Sequence, residues 1–250
     1  MTASTVLLLG AGVLAGAVGS AGGTASLISY PALLAAGLPP LAANITNSVA
    51  FVASWPGAAI SSRPELRGRA CWLTRWAAIA AAGGAAGASL LLLTPASIFG
   101  RVVPFLVAAA SLALFLQPRL SAWRDKAAAR YHRVLLPAGL AAVSVYDGYW
   151  GAGAGVMTLA LLLVTVDQRL PHANALKNMI LGVADIVSAV GLALLGPVRW
   201  SAALPLAAGL LAGSSLGPVV ARRLPAGPLR VCVALAGLGL AVHLWTVPAS

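Results

Sequence analysis

Apolar runs long enough to cross a bilayer succeed one another along almost the whole chain, and they decide the solvent in which it folds. They cover about 3–38, 42–61, 72–94, 98–117, 135–166, 173–196, 201–220 and 227–246. A spanning helix needs roughly 20 such residues. Charged residues make up 8% of the 250 and hydrophobic ones 60%, whereas a soluble domain is about a quarter charged. A water-soluble globule and a disordered chain are both excluded. The class predicted is an all-α integral membrane protein. The polar, basic stretch over 117–133 is a connector, too short for a second folded unit. The first basic residue is Arg63, so no secretory leader is expected. Cys71 and Cys232 lie far apart in apolar surroundings and read as small buried residues, with no disulfide or zinc spacing.

Two runs, 3–38 and 135–166, are too long for one span and too short for two. As straight helices, they would be rods of roughly 50 Å against a hydrocarbon core of about 30 Å. Each is interrupted by glycines, Gly19-Ser20-Ala21-Gly22-Gly23 and Gly151-Ala152-Gly153-Ala154-Gly155. Glycine is where a helix breaks most easily. Each run therefore predicts a hairpin of two short helices, re-entrant or barely spanning; the competing reading is one glycine-kinked helix. Freed backbone at membrane depth is tolerated only inside protein or along a wet cavity. The breaks thus point to a pathway.

Sliding the chain by 130 residues superposes these breaks. Gly23 falls on Gly153, Ala43-Asn44 on Ala173-Asn174, Arg69 on Arg199, Gly87 on Gly217 and Pro95 on Pro225. The expected organisation is a first transmembrane repeat over 1–120, a basic cytoplasmic connector over 121–133 and a second repeat over 134–250. Each half holds a hairpin plus three spans, an odd number of crossings, so the two halves must be inverted. The sixteen Lys and Arg residues against five Asp and Glu serve as a topology marker, because basic residues gather in cytoplasmic loops. With hairpins, fourteen basic residues fall on one side and only Arg101 and Arg199 on the other. With single kinked spans the split is ten to six. The hairpin arrangement places both termini outside the cytoplasm. The positive surplus then records orientation, and no nucleic acid partner is expected.

The helix beginning after each break offers unpaired N–H groups and about half a positive charge, which favour an anion. Two inverted hairpins would aim two such ends at one midplane site. Backbone near Gly22, Gly23, Gly153 and Gly155 is the expected main ligand. Thr24, Ser26 and Thr158 offer hydroxyls there, unless they back-bond their own helices. The next helix of each half opens with polar residues. Asn44 and Asn47, and Asn174 and Asn178, are expected to orient the anion. Positions 174, 178, 181 and 185 share a helix face, as do 44, 48, 51 and 55. Lys177 is the expected cationic ligand, unless it snorkels to the interface. Asp147 and Asp185 either pair with Lys177 or carry a coupled proton; structural ion pairing is the alternative for each. No cofactor motif or metal-ligand spacing is present, and no nucleophile–base set argues for an enzyme.

These residues carry a family resemblance. Gly16-x-x-Gly19-x-x-Gly22-Gly23, Tyr30-Pro31-Ala32-Leu33-Leu34, Gly37-Leu38-Pro39-Pro40 and Ala43-Asn44-x-Thr46-Asn47 resemble the TauE/SafE sulfite exporter family. So do Tyr146-Asp147-Gly148-Tyr149-Trp150-Gly151 with the glycines that follow, and Ala173-Asn174-Ala175-Leu176-Lys177-Asn178. The resemblance implies a multi-pass transporter of the bacterial plasma membrane, built of paired repeats. It also implies a small anion such as sulfite, a sulfonate or a related sulfur compound, usually exported. The first break lacks the family's usual Gly-x-Gly-Gly-Gly, and substrate would be read there. The expected partners are that anion and the lipid bilayer. A passive anion channel and, further off, a membrane-embedded enzyme are the alternatives.

Overall fold

The computed structural model describes residues 3–22, 25–122, 132–221 and 226–246. Among them every regular element is a helix, as lipid requires of a chain that must satisfy its own backbone hydrogen bonds. The elements are α1 (Ala3–Gly22), α2 (Ser26–Ala35), α3 (Pro40–Phe51), α4 (Ser54–Ser61), α5 (Arg63–Leu66), α6 (Ala70–Leu93) and α7 (Ala96–Ala122). Then follow α8 (His132–Tyr149), α9 (Ala154–Thr165), α10 (Leu170–Leu195), α11 (Trp200–Ala221) and α12 (Ala226–Thr246). Most of the basic connector lies outside the described residues. Leu14, Leu93, Phe105, Leu194 and Leu195 are exposed on the surface, as residues facing acyl chains are. The protein is membrane-embedded. Cys71 is exposed on the first turn of α6 rather than buried; helix position, not residue type, decides its face. Cys232 lies among side chains outside the described set.

Both glycine-broken runs fold as hairpins, each a long helix followed by a short one. The long arms, α1 and α8, have 20 and 18 residues, and the short arms, α2 and α9, have 10 and 12. The pair of short helices expected in each is thus corrected to one long and one short. In the first hairpin α1 runs through Gly19 and on to Gly22. Gly19 is there for closeness: a Cβ on it would strike the Ala25 Cβ across the turn. In the second hairpin the break is sharp, because Gly151 and Gly153 take left-handed φ values of 76° and 84° that cost other residues strain.

The expected 42–61 span is also divided, into α3 and α4. The cause is Pro56. It has no N–H to give the Val52 carbonyl and its ring crowds that carbonyl, so Trp55 N–H bonds Val52 instead, three residues back, at 3.2 Å. Ala53 bonds Ala50 in the same tightened way.

Each hairpin is gripped by the other half of the chain. Arm α1 lies along α11, and arm α8 lies along α6. The contacts are backbone to backbone, through small residues. A Cβ on Gly16 would meet Leu210 O at 2.5 Å and Ser214 N at 2.7 Å, and one on Gly87 would meet Tyr149 N at 2.7 Å. Between membrane helices this close packing replaces the hydrophobic drive that lipid removes. The short arms pack both within and across the halves: α2 meets α3 in its own half and α12 in the other, α9 meets α10 in its own half and α7 in the other, and α7 meets α12 across them. Helix α10, between α3, α4 and α6, runs through the middle and carries the polar residues of the site.

Candidate functional site

The four hairpin arms, together with α3, α4, α10 and α11, meet around a cavity of about 90 Å³, room for a few waters or one small polyatomic ion. The end of α1 contributes Gly19 and Ser20, the start of α2 Ser26, and the second break Asp147, Trp150, Gly151 and Gly155. From α3 and α4 come Asn47, Ser48, Ser54 and Trp55; from α10 Lys177, Asn178, Gly182 and Asp185; from α11 Ser214. The two breaks meet here: a Cβ on Gly151 would lie 3.8 Å from Asp147 Oδ1 and 3.9 Å from Ser26 Oγ. Six pairs of lining residues stand 130 apart in the chain: 20 and 150, 25 and 155, 47 and 177, 48 and 178, 51 and 181, 55 and 185.

Lys177 is 2% exposed, so it does not snorkel to an interface. Its ammonium donates one long hydrogen bond of 3.4 Å to Gly19 O, near the carbonyl end of α1, an end that favours a cation. Among the described residues no carboxylate reaches it within 4.0 Å. Asp147 and Asp185 share the cavity and lie within interaction range of each other. Asp147 is buried, and its Oδ2 has no hydrogen-bond partner among the described residues. Gly155 belongs to the first turn of α9. The neighbouring amides of Ala154, Val156 and Met157 donate to the Gly151 and Gly153 carbonyls. The Gly155 amide has no such carbonyl partner among the described residues, and Gly155 lines the cavity.

Several expected ligands have other duties. Asn44 Nδ2 donates to Tyr149 O at 2.9 Å, the last carbonyl of α8. Asn174 Nδ2 donates to Ser20 O at 2.9 Å, in the last turn of α1. Neither lines the cavity. Each asparagine instead ties down the helix end of the opposite hairpin, where carbonyls lack intrahelical partners. Asn178 Nδ2 shares the Ser20 carbonyl at 3.4 Å while lining the cavity. Gly153 is the hinge at the start of α9, where a Cβ would crowd Ala110 at 3.2 Å. Thr158 back-bonds to Ala154 O at 2.9 Å. Gly22 closes α1; Gly23 and Thr24 lie outside the described residues. Trp150, unassigned in the sequence reading, wedges the second break against Tyr30 and Phe99 with centroid distances of 4.9 and 5.8 Å.

Away from the cavity, Asp167, in the turn between α9 and α10, joins two guanidiniums. Arg69 Nη2 approaches to 2.6 Å and Arg169 Nε to 3.2 Å. Hydrogen bonds from Arg169, then the charges of Arg169 and Arg69, hold the Asp167 carboxyl below the usual carboxylate range.

The family model described as "Sulfite exporter TauE/SafE" matches residues 8–244. A "Probable membrane transporter protein" of Haemophilus influenzae is 29% identical over 84% of this chain and 82% of its own length. "Probable membrane transporter protein ORF9" of a Sinorhizobium species is 26% identical over 95% and 91%. "Probable membrane transporter protein YfcA" of Escherichia coli K12 is 28% identical over 82% and 76%. No solved structure matches.

Proposed function

The chain belongs to the TauE/SafE family of membrane transporters, and from that premise we propose that it moves a small anion, sulfite or a sulfonate, out of the cell through the cavity between the two breaks. Lys177 supplies the charge, the Gly155 amide a fixed backbone donor, and Asn47 and Asn178 orient the anion. The observation that carries this reading is the buried Lys177 ammonium with no carboxylate partner among the described residues. An uncompensated cation at membrane depth is costly and marks a functional site by default. An anion is the partner it lacks.

Asp147 and Asp185 are the proposed proton carriers. Both carboxyls line the cavity through which the anion would pass, and a proton taken up and released there would link transport to the pH gradient. The halves are read as inverted repeats about the cavity. The six lining pairs 130 residues apart and the exchanged helix contacts support this, as does Asp167 joining Arg69 and Arg169, two basic residues that the hairpin arrangement puts on one side. The proposed setting is the plasma membrane with both termini outside.

The test is a thermal-shift screen of purified protein with sulfite, sulfate, thiosulfate, methanesulfonate and small carboxylates, beside Lys177→Ala. Stabilisation by an oxyanion that disappears in the variant is expected. If no anion stabilises the wild type, the anion site is wrong. In proteoliposomes, sulfite flux should respond to a pH gradient and lose that response in Asp147→Asn and Asp185→Asn; an unchanged response in both would remove the coupling role.

A further inference from the structure

The indole N–H of Trp55 is among the polar groups of the cavity that the reading above leaves unused; that of Trp150 is another, on a ring packed against Tyr30 and Phe99. Trp55 begins just beyond the Pro56-induced break between α3 and α4. The edge of its indole that carries Cδ1 and Nε1 is pressed onto Gly182 of α10, so closely that any Cβ at 182 would overlap those two atoms. Gly182 lies between Asn178 and Asp185 on the strip of α10 that lines the cavity, and Trp55 lines it too. The Trp55 Nε1 is buried, with no hydrogen-bond partner among the described residues. An indole nitrogen only donates, and a buried donor left unpaired costs stability. What this edge lacks is an acceptor.

We propose that the Trp55 N–H is a direct ligand of the transported anion and that it sets the preference for polyatomic oxyanions over spherical ones. The proposal rests on the anion reading of the same cavity and adds its selectivity. Lys177 is a point charge that attracts any anion. Gly182 is five residues further along α10, about 7.5 Å by helix rise. A halide at the ammonium leaves the indole unpaired, whereas a trigonal or tetrahedral oxyanion presents oxygens to both. The indole also brings no charge of its own. It rewards the right shape without holding the ion so tightly that release fails, which transport requires. Gly182 is the enabling residue, because a side chain there would displace the indole.

The experiment titrates purified full-length wild type, Trp55→Phe and Trp55→His with methanesulfonate, sulfite and chloride, reading thermal shift. Phenylalanine keeps the ring and loses the donor; histidine keeps a ring N–H. The expected result is that Trp55→Phe binds the two oxyanions about tenfold more weakly, the size of one hydrogen bond to a charged group, with chloride unchanged and Trp55→His retaining the preference. Equal oxyanion affinity in Trp55→Phe, or equal loss for chloride, overturns the role of Trp55 while leaving the anion site standing. No binding of any anion to the wild type overturns the anion site itself. A readout independent of variants uses wild type labelled with 15N at its seven tryptophan indoles. Methanesulfonate should shift at least one indole N–H resonance downfield, and no shift in any of them rejects the proposal even if Trp55→Phe does not fold.

Discussion

Lys177 shows how stability and function oppose each other at single residues. A buried ammonium with one 3.4 Å acceptor is poorly compensated, and replacing such a charge with an apolar group of similar shape is often stabilising. Lys177→Met is therefore expected to raise the unfolding temperature without ligand and to abolish the oxyanion-dependent shift; a lower midpoint without ligand would show that Lys177 is structurally paired after all. The asparagines predict the opposite pattern. Asn44→Ala and Asn174→Ala each strip a 2.9 Å bond from a helix-end carbonyl. Each should cost about 1–2 kcal/mol in denaturant unfolding while the anion-induced shift persists. Sequence spacing alone places 174 and 178 on one helix face. It does not say that Asn174 ends on a carbonyl of α1 while Lys177, three residues on, turns into the cavity. That depends on where the opposite hairpin ends, and its long arm extends past the first glycines. Trp55 shares the 44, 48, 51 and 55 face in the sequence, yet its polar edge acquires meaning only once Gly182 is seen beneath it.

Among the elements, the glycine content of the runs identifies both hairpins, because uninterrupted helices of that length do not fit a bilayer. The same glycines do not reveal which of them break a helix. Gly151 and Gly153 do, with positive φ; Gly16, Gly83 and Gly87 lie inside helices and serve close packing. Distinguishing the two uses requires the neighbouring helix. Gly87→Val should therefore force α6 and α8 apart and cost about 1–3 kcal/mol or more, the usual range for overpacking, whereas Gly100→Val, with open space at its Cβ, should cost much less in the same thermal assay. The α9–α10 turn is held differently, by Asp167 between Arg69 and Arg169. Its folded pKa is depressed, so its contribution is present above the normal carboxylate range and is lost as pH falls through the lowered value. Asp167→Asn should lower the unfolding midpoint at pH 7, and the gap to wild type should close below about pH 4. A gap independent of pH would assign the effect to packing instead.

For the whole molecule, the exchange of partners is the strongest constraint. Each long arm packs on a helix of the opposite half, α1 on α11 and α8 on α6. Neither half therefore completes its own packing, and the cavity draws its lining from both. An inverted pair of halves accounts for this mutual grip and for the lining pairs 130 residues apart. It also places repeat mates on opposite membrane faces. Arg199 and Arg67, the latter two residues before the repeat mate Arg69, are both exposed, and the inverted arrangement puts them on different sides. In a background lacking Cys71 and Cys232, single cysteines at 67 and 199 should react with an impermeant maleimide from opposite sides of the membrane. Position 199 should be labelled in intact cells and position 67 only after permeabilisation. Labelling of both from one side would remove inversion. It would also remove the two-break cavity as an alternating site, because both short arms would then open toward the same compartment and a binding residue such as Lys177 would have no second face to which its anion is delivered.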